Sequence, residues 1–567
     1  MAQLLTAAIA LLTNLAFYGR LSLLSASPAG TQLGGWIVLV PVAGAVIVGF
    51  MARYGSMAIR GHGIPEAMEQ VLFNQSRIPP RVLLLKPLSA VISIGTGGPF
   101  GAEGPIIATG GALGSLVGQF TRISADERKT LLAAGAAAGM AATFGTPVAA
   151  VLLAIELLLF EYRAASLIPV AFSAVAATGG RMVITGGAPA FEVPDLPPTA
   201  APALAGYVVI GAVTGLASVM ITKALYAIED RFARLRIHWM WWPALGAVVV
   251  GLVGVVAPRT LGVGYDNIEQ TVSGGLAGNA LLALCAWKTV SWLIALGSGT
   301  SGGTLAPIFT IGGGIGVACA GTLAWLAPTS GVDTGLAALV GMAALFAGAS
   351  HALLASVLFA FESTRQPLAL LPLLAGCAAS YLVSSALMRT SIMTEKFARR
   401  GRPVPNAYAL DALAQVLVKD VALREVVTLQ AAQTVGDVRT WFLSGVPGAE
   451  HQSFPVLADD GRLLGVVTQR DVFRAGSSGA SIGSLLRRAP IVVGPQDTLR
   501  DAADRMLRAQ VGRLPVVQNG RLVGIVTRTD VLEGHSPRLR HATTLERTLR
   551  LPLSRRGPGE GTRPSDP

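Results

Sequence analysis

Three short segments of this sequence combine glycine and proline in one form: GHGIP (Gly61, His62, Gly63, Ile64, Pro65), GAEGP (Gly101, Ala102, Glu103, Gly104, Pro105) and GTLAP (Gly303, Thr304, Leu305, Ala306, Pro307). Glycine permits backbone turns closed to other residues, and proline is at home in the first turn of a helix, so each segment reads as a loop entering a helix N-terminus. Such an end presents unbonded N–H donors and about half a positive charge. Three converging ends would hold an anion without a fixed cationic side chain, which suits an anion that must also leave. The alternative is that each Gly-Pro pair only kinks a helix. Glu103 adds a second chemistry, because it is the only ionisable residue between Lys86 and Arg122. A carboxylate in such apolar surroundings is costly without a role or a partner. At a helix N-terminus its charge would take the place of the anion, blocking a path when ionised and clearing it when protonated or displaced. The alternative for Glu103 is a structural pairing with a neighbouring helix.

The elements that must position these segments are apolar. Residues 35–51, 131–155, 204–221, 242–257, 280–296 and 368–387 are nearly uncharged and approach or exceed the ~20 residues that cross a ~30 Å hydrocarbon core. Many are interrupted by Gly and Pro, which at membrane depth occurs only where freed backbone lines a cavity or is buried in protein, as in transporters and channels. The membrane part also repeats itself. GTGGPFGAEGPIIATGGALG, from Gly95, matches GSGTSGGTLAPIFTIGGGIG, from Gly297, with Pro105 and Pro307, Gly110 and Gly312, and Gly114 and Gly316 each 202 apart. PVAAVLLAIE, ending at Glu156, matches LLASVLFAFE, ending at Glu362, at a spacing of 206. A duplicated membrane unit places its substrate site at the repeat interface near the midplane.

Charge divides the chain. Of 567 residues 52% are hydrophobic and 13% charged, but 25 Lys/Arg and 17 Asp/Glu fall from Glu395 onward, against 19 and 15 in the first 394. The second part is close to the quarter-charged norm of soluble proteins, and the first is far below it. The reading is a membrane domain over 1–394 and a basic linker over 395–407. Lys396, Arg399, Arg400 and Arg402 in that linker place the C-terminal part of the chain in the cytoplasm by the positive-inside rule. The soluble part carries a second repeat, GRLLGVVTQRDVF (461–473) and GRLVGIVTRTDVL (520–532). Each copy follows a Pro-Val strand, SFPVLAD or RLPVVQN, and a short amphipathic helix around 435–442 or 498–508. Strands alternating with helices give an α/β module of two halves, 408–480 and 481–535. A basic, disordered tail is expected over 536–567. A disulfide scaffold is excluded, because Cys285, Cys319 and Cys377 are odd in number and embedded in apolar runs. The net charge of +12 is accounted for by the flank and tail and calls for no nucleic acid. No cleavable signal peptide, metal cluster, nucleophile–base pair or P-loop is expected, and so no enzyme.

Taken together, the motifs resemble the CLC chloride channel and chloride/proton antiporter family. Its GSGIP, GxEGP and GxFxP correspond to GHGIP, GAEGP and GTLAP, and its glutamate-ended helix to the segment from Phe144 to Glu156; the soluble halves resemble a pair of CBS domains. The resemblance implies an α-helical polytopic membrane protein with inverted internal repeats, followed by a soluble α/β CBS pair. It further implies a homodimer in a lipid bilayer, a bacterial inner or plasma membrane, with one path per subunit for chloride or other small anions. Glu103 falls on the family's gating glutamate, and the three Gly/Pro segments fall on those that surround its anion sites.

The departures bear on mechanism. His62 stands where relatives carry a serine, Leu305 where they carry phenylalanine, Leu157 at the antiporters' internal glutamate and Met393 at their pore tyrosine. Leucine cannot relay a proton, so the favoured expectation is a voltage- or pH-gated chloride channel. The alternatives are an antiporter with a non-standard internal proton path, with Glu161 as substitute acid unless it is simply paired with Arg163, and a non-conducting anion sensor signalling through the CBS pair. His62 could add positive charge in acid, or stay neutral against a backbone carbonyl. Lys86 and Lys288 could add potential to the path, snorkel, or pair with Glu156 or Glu362. In the CBS pair, Thr468, Asp471, Thr527 and Asp530 are candidate ligands for an adenine nucleotide, with Arg470 and Arg528 on its phosphates. The alternative is a dimerisation and docking module without cofactor.

Overall fold

The computed structural model describes residues 1–121, 123–400, 413, 416–422 and 425–534. Residues 401–407 of the expected linker, Arg402 among them, and the expected tail over 536–567 lie outside the described residues. The chain divides into two units, Met1–Tyr408 and Ala409–Pro567.

Among the described residues, the first unit holds two successive sets of eight α-helices, followed by the short helix Glu395–Arg399. The first set is α1 (Ala2–Tyr18), α2 (Leu39–Phe50), α3 (Ile64–Phe73), α4 (Pro80–Gly95), α5 (Glu103–Phe120), α6 (Ala125–Phe144), α7 (Pro147–Ala154) and α8 (Ala164–Thr185). The second is α9 (Ala201–Ala233), α10 (Trp242–Val256), α11 (Tyr265–Val272), α12 (Gly278–Gly297), α13 (Leu305–Leu326), α14 (Thr334–Ser350), α15 (Leu353–Thr364) and α16 (Leu370–Leu387). Packing repeats with the order: α5 lies on α6 and α13 on α14, α6 on α8 and α14 on α16, while α7 and α15 pack on each other. Among the described residues, seven helical spans are long and apolar enough to cross a membrane.

Glycine decides how close these helices come. A Cβ on Gly110 would lie 2.2 Å from the Gly135 carbonyl oxygen, and one on Gly312 would lie 2.5 Å from that of Gly341. The repeated GGALG and GGGIG runs are therefore the contact stripes of α5 on α6 and α13 on α14, the small-residue packing typical of membrane helices. The apolar stretch 131–155 is not one span, as its composition suggested. Gly145, left-handed at φ 67°, ends α6, and Pro147 opens α7, because glycine alone enters that region without cost and proline fits a first turn.

The second unit is built of two equivalent halves. The strand Leu429–Gln430 runs parallel to Ser453–Leu457, which pairs antiparallel with Leu463–Thr468; Arg513–Gln518 pairs antiparallel with Arg521–Thr527. Both hairpins are bulged at the same place, after Val456 and after Val516. The helices Val435–Leu443 and Leu499–Ala509 bury Val438 and Met506 in the two small cores.

Candidate functional site

The three Gly/Pro segments meet. The Gly101 N–H donates to the Gly303 carbonyl (3.2 Å), the Gly303 N–H to that of Gly101 (2.8 Å), and the Gly302 N–H to that of Gly61 (3.4 Å). Contact is backbone to backbone: a Cβ on Gly104 would lie 1.9 Å from the His62 carbonyl oxygen, and one on Gly63, at φ 97°, 2.3 Å from that of Gly104. Helices α3, α5 and α13 thus start from one buried junction, to which His62, Gly63, Ile64, Pro65, Ala102, Pro105, Thr304, Leu305, Ala306 and Pro307 all belong. Met393 is buried in the core that contains Ile64 and Leu305.

Glu103 is 2% exposed and sits inside this junction. Its Oε1 accepts a hydrogen bond from the Tyr265 hydroxyl (2.7 Å). Its Oε2 has no hydrogen-bond partner and faces two glycines, since a Cβ on Gly101 or Gly303 would come within 1.8 or 2.9 Å of it. The carboxyl therefore occupies the space between the N-termini of α5 and α13, where their dipoles favour negative charge. Its partner is a hydroxyl rather than the basic residue a structural ion pair would need.

The buried lysines pair with neither Glu156 nor Glu362, and they do not snorkel. Lys86 Nζ donates to the carbonyls of Ile59 (2.9 Å) and Gly61 (2.8 Å), and Lys288 Nζ to those of Thr260 (2.9 Å) and Gly262 (3.1 Å). The glutamates instead cap helices of the opposite repeat. Glu156 accepts from the N–H groups of Leu354 and Ala355 (3.0 Å each), Glu362 from those of Val148 (3.1 Å) and Ala149 (2.8 Å). Both arrangements follow from what each charge needs in a dry interior. An ammonium has several donors to satisfy, and a carboxylate finds two aligned N–H groups at a helix start.

The lysines expose a motif that sequence reasoning missed. Gly262, Val263, Gly264, Tyr265, Asp266 and Asn267 repeat Gly61, His62, Gly63, Ile64, Pro65 and Glu66 at a spacing of 201. The glycines of both loops have positive φ, 88° and 97° in the first and 67° and 75° in the second. The available signal was the G-x-G spacing, hidden because Asp266 replaces the proline.

Around the remaining candidates the picture is mixed. Leu157 is 3% exposed within the core. Glu161 is held by Lys129 (3.7 Å), Arg163 (4.0 Å) and the Ser166 hydroxyl (2.8 Å). His62 is buried, and its Nδ1 has no hydrogen-bond partner, a carbonyl included. With Arg60, Glu66, Glu69, Lys396 and Arg400 it lines a vestibule of about 330 Å³. Glu66 fixes the His62 loop from that side, accepting from the Gly63 N–H (2.7 Å) and pairing with Lys396 (3.2 Å).

In the second unit a cleft of about 810 Å³ is lined by Thr468, Arg470, Asp471, Arg487, Arg488 and Arg513 among others, but not by Thr527, Asp530 or Arg528. Both Thr–Asp pairs are capping boxes. Thr468 Oγ1 bonds Asp471 (2.6 Å) and Thr527 Oγ1 bonds Asp530 (2.8 Å), satisfying the first turns of the helices Gln469–Arg474 and Arg528–Glu533. Burial pushes the Asp471 carboxyl up, but hydrogen bonds from Thr468 and the nearby Arg487 and Arg474 outweigh it and hold the group below its usual value. Among the described residues, no three His, Cys, Asp or Glu side chains are grouped to hold a metal.

Comparison with known proteins agrees with this architecture. Residues 43–385 match the family model described as voltage gated chloride channel, and residues 418–478 and 482–535 each match the CBS domain. The chain is 30% identical over 374 residues to the H(+)/Cl(-) exchange transporter ClcA of Vibrio parahaemolyticus, covering 64% of this chain and 79% of that one. It is 27% identical over 366 residues to a ClcB-like protein of Ralstonia nicotianae, covering 64% and 85%. The fold is shared with the crystal structure of a slow cyanobacterial Cl-/H+ antiporter, at a TM-score of 0.63 and 24% identity over 70% of this chain and 95% of that one. With the channel model spanning most of the membrane unit and two CBS domains after it, the chain belongs to the voltage gated chloride channel family, the multi-pass CLC anion transporters, in a CBS-bearing form.

Proposed function

We propose that this protein conducts chloride passively along a path that the Glu103 carboxyl blocks and clears. It would work as a homodimer with one path per subunit in a bacterial inner or plasma membrane, with its CBS pair on the cytoplasmic side and no enzymatic step. The observation that carries the channel reading is Leu157, an apolar side chain buried where an internal proton acceptor would stand. The acids beside it are engaged elsewhere, Glu156 at the start of α15 and Glu161 with Lys129 and Arg163. Reconstituted protein should give a chloride current that reverses at the chloride equilibrium potential and does not move with a pH gradient. A reversal that moves with the pH gradient in fixed proportion establishes exchange instead. Absence of any anion flux would leave the sensor reading.

The exchange reading has its own support. The Vibrio parahaemolyticus relative is an H(+)/Cl(-) exchange transporter, and the unpartnered His62 Nδ1 beside the Glu66 vestibule is a group able to carry a proton toward the junction. His62→Ser should then abolish coupling while leaving chloride flux. For the CBS pair we propose an adenine nucleotide in the arginine-rich cleft, its phosphates on Arg470, Arg487 and Arg488, since guanidinium pairs well with phosphate. ATP, ADP and AMP are the probes, read as a rise in the melting temperature of the full-length protein. No rise with any of them favours a docking module.

A further inference from the structure

The Tyr265 hydroxyl does something that the fold alone does not require. It donates to Glu103 Oε1 at 2.7 Å, and its position is fixed from three sides. The ring stands edge-on to Phe144 (6.0 Å) and Phe191 (5.8 Å). The loop before it is fastened by the two bonds from Lys288, and Asn267 Nδ2, two residues on, donates to the Arg259 carbonyl (2.9 Å). The related loop of the first repeat carries Ile64 at the equivalent place, and Leu305 is the repeat mate of Glu103. Ile64 and Leu305 are both buried in the same core. One repeat thus meets the pseudo-symmetric junction with an apolar pair, while the other meets it with a hydroxyl on a carboxyl. An apolar side chain suffices for packing, so the polar pair has another use. The charged groups bearing on it are Lys288 from α12 and, through Lys288, Asp266 from α11.

We propose that Tyr265 is the latch of the gate, its hydroxyl holding the Glu103 carboxyl in the anion path. The latch rests on the reading of Glu103 as the gate. A hydrogen bond to an ionised acceptor favours the charged, path-blocking form over the protonated one. Removing the donor should therefore let the carboxyl clear the path at higher pH.

The test is chloride efflux from liposomes as a function of pH for the native full-length protein, Tyr265→Phe, Glu103→Gln and the double variant. For Tyr265→Phe we expect flux at neutral pH to rise roughly tenfold, the factor set by one hydrogen bond to a charged group, and the half-maximal pH to rise by about one unit. Glu103→Gln should be insensitive to pH, and adding Tyr265→Phe to it should change nothing. If Glu103→Gln is insensitive but Tyr265→Phe overlays the native curve, the latch is wrong and the gate stands. An equal effect of Tyr265→Phe in both backgrounds also overturns it, because Tyr265 would then act on the shape of the path. A native pH profile in Glu103→Gln removes the gate and the latch with it. Tyr265→Ile, the residue type the other repeat uses, is the second variant and should match Tyr265→Phe, so poor folding of one does not leave the proposal open.

Discussion

In the proposed gate, the Glu103 oxygen that has no hydrogen-bond partner faces glycine. That unbonded Oε2 lies against Gly101 and Gly303, and the junction that holds it tolerates no added methyl group. Gly104→Ala would put a Cβ 1.9 Å from the His62 carbonyl oxygen, where only backbone movement relieves the clash. Overpacking of this kind costs about 1–3 kcal/mol. The expected outcome is a protein that melts several degrees lower and has lost most of its chloride efflux. A variant with native efflux would mean that the three helix starts are not the path. Legibility at this scale depended on contrast. Glu103 stood out in the sequence because no other ionisable residue lies between Lys86 and Arg122. Tyr265 did not, because an aromatic in an apolar stretch looks like core and its loop lacks the proline that marked the others. The partners of Lys86 and Lys288 were invisible for a different reason: both bond backbone carbonyls, which every residue type supplies.

At the scale of elements, the two repeats are fastened to each other by exchanged carboxylates. Glu156, just past the end of α7, caps α15, and Glu362 near the end of α15 caps the start of α7. Each places negative charge on a helix N-terminus, worth about 1 kcal/mol and up to ~2 where partly buried. Glu156→Gln and Glu362→Gln should each lower the melting temperature by about 2–4 °C. The double variant should fall short of the sum, because α7 and α15 are in contact and their effects are coupled. In the CBS unit the recurring Thr-x-x-Asp pattern was legible as a motif but ambiguous in role, since a threonine and an aspartate three residues apart suit a nucleotide and a helix start equally. At the helix Leu499–Ala509 the role is settled by bonds from Thr498 to Asp501 through the hydroxyl (2.7 Å) and N–H (3.1 Å). The Thr498 hydroxyl is the main cause that holds the Asp501 carboxyl below its usual value. With the folded value lowered, the stabilisation is complete above the ordinary carboxylate range and fades as pH falls through the lower, folded value. Thr498→Ala should therefore reduce hydrogen-exchange protection of this helix by about 1 kcal/mol at neutral pH, and the difference from native should shrink in acid to the part carried by the Asp501 N–H bond to the Thr498 hydroxyl (3.1 Å). A difference that persists unchanged into acid would assign the whole loss to that N–H bond and leave the carboxylate no share.

Over the whole membrane unit, the duplication was legible at the glycine-rich runs and at the two glutamate-ended helices α7 and α15. The run from α5 into α6 and its counterpart from α13 into α14 keep their residue types, because a Cβ at Gly110 or Gly312 would strike the facing backbone. The duplication also runs through α2 and α10, which keep Gly44 with Gly246 and Gly49 with Gly251 at the same spacing of 202 and pack them close on facing residues, whereas α9 packs through Gly211 and Gly215 with no glycine at the matching places of α1. The duplication nevertheless extends to the buried lysines, which stand 202 residues apart and hold equivalent loops, and here the two repeats diverge in use. Lys86 fastens the loop that presents His62 beside the vestibule, whereas Lys288 fastens the loop that presents Tyr265 to Glu103. The same device should thus have opposite consequences when removed. Lys288→Met frees the Tyr265 loop, so its pH–flux curve should move toward higher pH, as for Tyr265→Phe, with flux at neutral pH raised roughly tenfold. Lys86→Met frees the His62 loop at the anion junction and should lower flux at every pH without moving the curve. Efflux from liposomes, normalised to protein that elutes as a single species, separates the two shapes. Identical curves for both variants would mean that the lysines serve only to hold the fold, and that the functional asymmetry lies in His62 and Tyr265 alone.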